Sequence, residues 1–223
     1  MYSDKREQFF NKESLELIHV YNFVDGFIDD IERIHKRFKE PILGYVLHCT
    51  VLRHRKVDIL RTAVDVFVPH VFKDVHSVLV GLMRKSSEDG AELPTEDMLD
   101  IYRKIKELWD LYRQIIRKYP FLTSLVDWFR EIGFDIKTIF GPAVKKWLEV
   151  TDTTTVEWVE RAVRGDAFKP ENEEMKQSSS VMDVFQIIGG AVDFLKKLEW
   201  PDEYQHAKFA TYLAHVLFCT GQY

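Results

Sequence analysis

The chain has 223 residues, 46% hydrophobic and 30% charged, with a net charge of −5 and a pI near 5.9. That length can bury a substantial core, and the acidic balance excludes a dedicated nucleic-acid binder, which needs a basic surface. No apolar run of about 18 residues marks a membrane span, the charged opening MYSDKREQFFNKE has no apolar signal core, and the 10 glycines and 7 prolines are too few for an all-β chain.

In chain order, apolar spacing predicts helix nearly everywhere. From Leu17, the series Val20, Tyr21, Val24, Phe27, Ile28, Ile31, Ile34, Phe38 steps by helical intervals and forms one amphipathic stripe, limited by Pro41. A second helical stretch covers 42–68 with Ile59, Leu60, Ala63, Val64 and Phe67. Pro69 is expected to kink or break it, and 70–84 continues with Phe72, Val75, Leu79 and Leu82. KSSEDGAELP (85–94) reads as a loop, and Thr95 as the cap of a helix with Glu96 and Asp97 in its first turn. That helix carries Met98, Tyr102, Ile105, Leu108, Trp109, Tyr112, Ile115, Ile116 and Tyr119, and ends at Pro120.

A short helix around Leu122, Leu125, Val126 and Phe129 stops near Gly133, a C′ glycine. Residues 143–149 and 153–164 read as two short helices around Trp147 and Trp158, and 165–177 as a polar loop. Ser178 or Ser179 then caps a helix reaching Trp200, with Gly189-Gly190 in its middle, and Asp202 opens the last helix. No segment alternates with a strand's period. The fold class is all-α, about eight helices in antiparallel bundles.

Catalytic patterns are hard to assemble from these residues. Glu16-x-x-His19 and Glu32-x-x-His35 fall on one predicted helix, sixteen residues and so about 24 Å apart, too far to share a metal pair. Asp25, Asp29 and Asp30 resemble a magnesium-holding aspartate cluster, but such a site needs a second acidic cluster across an apolar cavity, and the sequence offers only the 88–100 loop region, which reads as solvated. No phosphate loop, dinucleotide fingerprint or nucleophile elbow occurs. His206 and His215 are too far apart for a local ligand pair. Cys49 and Cys219 lack metal-ligand neighbours and read as free thiols of a reducing compartment. No cofactor and no metal are expected. Arg53-His54-Arg55-Lys56 spreads over more than one helical turn and reads as solvated surface. The Trp and Tyr residues read as core.

One ordered set of residues goes further. Pro142, Val144, Trp147 and Leu148, then Ser178, Ser180, Val181, Asp183, Val184 and Phe185, then Lys196, Lys197, Leu198, Glu199, Pro201 and Asp202 resemble the first Munc13-homology region of the Munc13/CAPS family, within its MUN module. The resemblance covers roughly 139–217, and WVERAV is nearer to the fungal members. It divides the chain into a helical segment, 1–138, and a Munc13-homology region, 139–223, truncated at its C-terminal end. The chain is then expected to be a fragment or a truncated relative, whose uncovered Val216, Leu217 and Phe218 would invite self-association.

The resemblance implies helical bundles stacked into an elongated rod, similar to exocyst-like tethering subunits. It implies a non-enzymatic, cytoplasmic role at membranes, in vesicle priming, tethering and exocytosis. The implied partners are SNARE proteins, notably syntaxin-like helices, and tethering factors, while other domains of the polypeptide contact acidic membrane. Animal members carry Asn at the position of Gly189 and Phe at that of Val192, where they form a syntaxin-engaging pocket. The expected partner face is therefore Phe185, Gly189, Val192 and Lys196, altered by the loss of that pair. An alternative role for the glycine pair is close approach of a neighbouring helix. The alternative functions are a metal-dependent helical-bundle enzyme using Asp25, Asp29 and Asp30, and a purely structural spacer.

Overall fold

The computed structural model describes residues 2–11, 15–39, 59–116, 133–169, 177–200, 207, 208, 210, 211 and 214. Among them six helices have defined bounds: α1 (Tyr2–Phe10), α2 (Leu17–Lys39), α3 (Ile59–Glu88), α4 (Thr95–Ile116), α5 (Ile136–Gly165) and α6 (Ser179–Leu198). No strand occurs among the described residues, so the all-α class stands. The helices predicted around 42–58, 122–129 and 202 onward lie wholly or partly outside the described residues. So do Cys49, Cys219, Arg53–Lys56, His206, His215, Val216, Leu217 and Phe218.

The chain divides into two compact units, Met1–Pro142 and Ala143–Tyr223. In the first, α2 packs on α1, α3 and α4, and α3 on α4. The stripes predicted from spacing are the faces that become buried. Val20, Val24, Phe27, Ile28 and Ile31 of α2 meet Phe72, Val75 and Leu79 of α3 and Tyr102, Ile105, Leu108 and Trp109 of α4 in one core. Phe134 joins it edge-on to Phe72 at 5.9 Å, and Phe140 lies edge-on to Tyr102 at 5.5 Å. Nonlocal polar contacts tie helices together at the core's margin: Tyr112 Oη donates to Asp65 at 3.1 Å. The stretch Val64–Glu88 of α3 is long and apolar enough to cross a membrane by length and composition alone. Its stripe of Val68, Val71, Phe72, Val75 and Leu79 is buried in the protein, while 28% of its most apolar window as a whole is buried.

Four boundaries differ from the expectations. Pro69 does not break α3, which continues through it. Apolar side chains on both sides of the proline, Val68, Val71 and Phe72, are buried in the same core, and that packing holds the helix together across the missing N–H. The helix also runs to Glu88, so the loop begins four residues later than composition suggested. Thr95 is the first helical residue rather than the cap: the Pro94 carbonyl accepts the Met98 N–H at 3.1 Å. The two short helices expected over 143–164 are one helix, α5, which starts at Ile136. Its cap is Asp135, whose carboxylate accepts the N–H groups of Lys137 at 3.1 Å and Thr138 at 3.2 Å and the Thr138 hydroxyl at 2.6 Å. The Thr138 hydroxyl, above all, holds the Asp135 carboxyl below its usual range. The threonine run 153–155 stays helical, and the Thr153 hydroxyl bonds back to the Glu149 carbonyl at 3.3 Å. Gly133 adopts φ 77°, the left-handed conformation expected of it.

Candidate functional site

In the second unit the site is built by α6 and by the loop that precedes it. Ser178 occupies the N-cap position of α6 in extended conformation, yet its hydroxyl makes no capping bond to the helix. Asp166 does the work from the end of α5. Its Oδ2 accepts the Ser180 N–H at 3.2 Å and the Ser180 hydroxyl, and its Oδ1 accepts the Phe168 N–H at 2.8 Å. Hydrogen bonds from Ser178 and Ser180 hold the Asp166 carboxyl down at about 2. The same bonds fix Phe168 in a left-handed backbone, φ 53°, with its ring in solvent. At the other end, Glu199 closes α6 in the left-handed conformation, and Lys196 and Lys197 sit in the last turn, where cations favour the helix dipole.

Between its caps α6 presents two opposite sides, because successive residues turn by about 100°. One side carries Phe185, Gly189, Val192 and Lys196, the expected partner face. The ring of Phe185 is 72% exposed, and the neighbouring Met182 and Val181 are 44% and 37% exposed. Gly189 and Val192 are half-buried and Lys196 is exposed. The four positions lie on one side of the helix, exposed at Phe185 and Lys196 and half-buried between them.

The other side faces α5 across an open groove of about 830 Å³. Its floor is a stack of Trp147 on Phe194, with ring centroids 3.8 Å apart. Trp158 and Arg161 on α5 and Asp183 and Gly190 on α6 form its walls. Trp158 is 48% exposed, which corrects the expectation that the tryptophans are core: Trp109 is, Trp158 is not. Its place on an apolar stripe gave no sign of this, because the stripe faces the groove.

The glycine pair divides between the two sides, and neither residue packs closely. A Cβ built on Gly189 or on Gly190 meets nothing within 4 Å. The reading in which the pair admits a neighbouring helix of the described chain is thus wrong. The α5–α6 contact is made by large side chains such as Trp147 and Phe194, which hold the backbones apart at this level.

The aspartates of the enzymatic alternative do not converge. Asp25 pairs with Lys104 at 2.7 Å; that carboxylate, with Glu107 at 2.9 Å, pushes the Lys104 pKa well above its usual range. Asp30 is buried and pairs with Lys5 at 3.3 Å and Arg33 at 3.4 Å. Asp29 is exposed on a shallow surface with Glu32, His35 and Lys36. His19 is a local capping group: its Nδ1 accepts the Glu16 N–H at 3.1 Å. Among the described residues no three His, Cys, Asp or Glu side chains converge on a metal position.

The family model of the MUN domain matches residues 94–217, more than half of the chain. The chain belongs to the MUN-domain family. The match extends well before residue 139, so it takes in α4 and the start of α5 as well as the Munc13-homology motifs. Among curated proteins, this MUN chain is 24% identical over 200 residues to an uncharacterized protein of Saccharomyces cerevisiae, covering 89% of the chain and 14% of that protein. An uncharacterized protein of Schizosaccharomyces pombe is 22% identical over 193 residues, covering 86% of the chain and 15% of that protein. A protein unc-13 homolog of Arabidopsis thaliana is 25% identical over 124 residues, covering 55% of the chain and 11% of that protein. The MUN chain thus spans a small part of each relative, and its fungal likeness agrees with the WVERAV motif. No solved structure matches it.

Proposed function

We propose that this MUN chain is a non-catalytic, helix-binding module of vesicle priming and exocytosis, serving at the cytoplasmic side of a membrane. Its partner is a SNARE helix of the syntaxin type, or a tethering factor presenting one. The membrane itself is reached through other domains of a longer polypeptide. The partner lies along the open side of α6, on Phe185, Gly189 and Val192, with Lys196 meeting an acidic side chain at its end. One observation carries the reading: a helix fixed by caps at both ends exposes an aromatic anchor beside a glycine whose missing side chain no described residue of this chain replaces. Aromatic anchors in apolar surroundings contribute most to such interfaces. Lacking the Asn and Phe of animal members, this face engages its partner by apolar contact rather than by amide hydrogen bonds.

The test is titration calorimetry of the chain against a panel of recombinant syntaxin-type helices. A saturable complex is expected. Phe185→Ala should weaken it at least tenfold and Lys196→Glu by a smaller, salt-sensitive factor. Absence of binding across the panel, or indifference to both substitutions, would refute the placement. The α5–α6 groove supports a second reading, since Trp158 offers an exposed aromatic there and Arg161 and Asp183 have no ionic partner among the described residues. Filling the groove with Gly190→Leu distinguishes the two.

A further inference from the structure

The groove between α5 and α6 has an internal order. Trp147, early in α5, stacks on Phe194, late in α6, while Asp166, just after α5, bonds Ser180 in the first turn of α6. The two helices therefore run antiparallel. That register puts Thr151 opposite Gly190, Thr155 opposite Gln186 and Trp158 opposite Asp183. From Trp147 to Trp158 is eleven residues, about 16 Å along the helix. Thr151, Gly190 and Ala191 keep this stretch open, and a Cβ on Gly190 meets nothing within 4 Å. The result is an apolar slot with one aromatic end.

Unused polar groups gather at the other end. Asp183 stands across from the half-exposed Trp158, and Arg161 follows three residues later on α5, about 4.5 Å further along. Neither charge has an ionic partner among the described residues. The Asp166 carboxylate at that end is occupied by Ser180 and by the Phe168 N–H. One turn before Trp158, Thr155 lines the groove at 1% exposure, yet no hydrogen bond holds its hydroxyl among the described residues. A buried hydroxyl without a partner is unfavourable, and a ligand that supplies one removes that penalty. An aromatic face beside a carboxylate suits an ammonium group, and a guanidinium suits an anion. Mostly apolar clefts of this size take small ligands held by a few polar groups.

We propose that the α5–α6 groove is a binding site for a small zwitterionic amphiphile. Its apolar chain lies along the slot, its ammonium group sits between Trp158 and Asp183, and its anionic group lies beyond, at Arg161. The Thr155 hydroxyl accepts an ammonium N–H. The order is fixed as chain, ammonium, anion, because Asp183 and Arg161 follow one another in that order from the Trp147–Phe194 end. The site needs no partner helix, so it can fail or hold independently of the α6 face and of a helix lying in the groove.

The probes are N-dodecyl-β-alanine, which has this order, and dodecylphosphoethanolamine, in which the anion precedes the ammonium. Each is titrated into the full chain below its micelle-forming concentration, followed by tryptophan fluorescence and calorimetry. N-dodecyl-β-alanine is expected to bind saturably and at least tenfold tighter than dodecylphosphoethanolamine. Asp183→Asn and Arg161→Gln should each weaken it severalfold, most clearly at low salt. Gly190→Leu should abolish it. Thr155→Val keeps the side chain's shape and should weaken binding severalfold without lowering the melting temperature. The decisive variant exchanges the charges, Arg161→Asp with Asp183→Arg, at two exposed positions outside the core. It should reverse the preference, so that dodecylphosphoethanolamine binds tighter. Equal affinity for the two amphiphiles, a preference that the exchange does not reverse, binding that survives Gly190→Leu, or no binding of either amphiphile would overturn the proposal.

Discussion

Single residues decide how α6 is set, and two of them give opposite expectations. Asp166 is held at about 2 by hydrogen bonds it makes only in the folded chain. A carboxyl depressed in the folded state contributes stability above its unfolded value, about 4, and that contribution is lost as pH falls toward 2. Acid titration followed by far-UV circular dichroism should therefore show the unaltered chain and Asp166→Asn diverging above about pH 4 and converging near pH 2. Gly189 and Gly190 point the other way. With open space around each, alanine at either should stabilise the helix by about 0.5–1 kcal/mol, seen as a higher melting temperature. A fall in melting temperature would mean that the glycine conformation is used for something the helix geometry does not reveal. The sequence announced the glycines but not their surroundings: whether a Cβ has room depends on how far Trp147 and Phe194 hold α5 from α6.

At the scale of elements, the buried stripes of α2 and α4 were legible because their apolar spacing is long, regular and unbroken. The ends were less so. Pro69 and Pro142 are strong local punctuation, yet both lie inside helices, since packing on either side outweighs one lost hydrogen bond. α1 was missed altogether because its contact side mixes Tyr and Phe with Lys and Arg, which hydropathy reads as a charged tail. The i, i+3, i+4, i+7, i+8 recurrence of aromatic and basic residues was the available signal. The start of α5 was equally readable in principle, from Asp135 three residues before Thr138. Asp135→Ala should cost about 1 kcal/mol, measurable by chemical denaturation of the chain. In the same experiment Phe72→Ala, which empties space at the centre of the first unit, should cost about 3–5 kcal/mol. Similar losses for the two would contradict the division into a packed core and a local cap.

At the scale of the molecule, helical class and family could be read before any coordinates, because the Munc13-homology motifs are an ordered set and the stripes have one period. The candidate site was legible only as four positions on one side of a helix. That Phe185 stands in solvent, that Trp158 borders a groove and that Asp25 and Asp30 are drawn to separate cations are tertiary facts. They arise from which helices happen to neighbour one another, and one-dimensional spacing does not encode it. The most direct measurement is fluorescence anisotropy of a labelled syntaxin-type helix against the chain, its Gly189→Leu form and its Gly190→Leu form, with helicity checked in each. Gly189→Leu is expected to weaken the complex at least tenfold, while Gly190→Leu leaves it within about twofold. Binding that survives Gly189→Leu unchanged, or no binding in the unaltered chain, would contradict it.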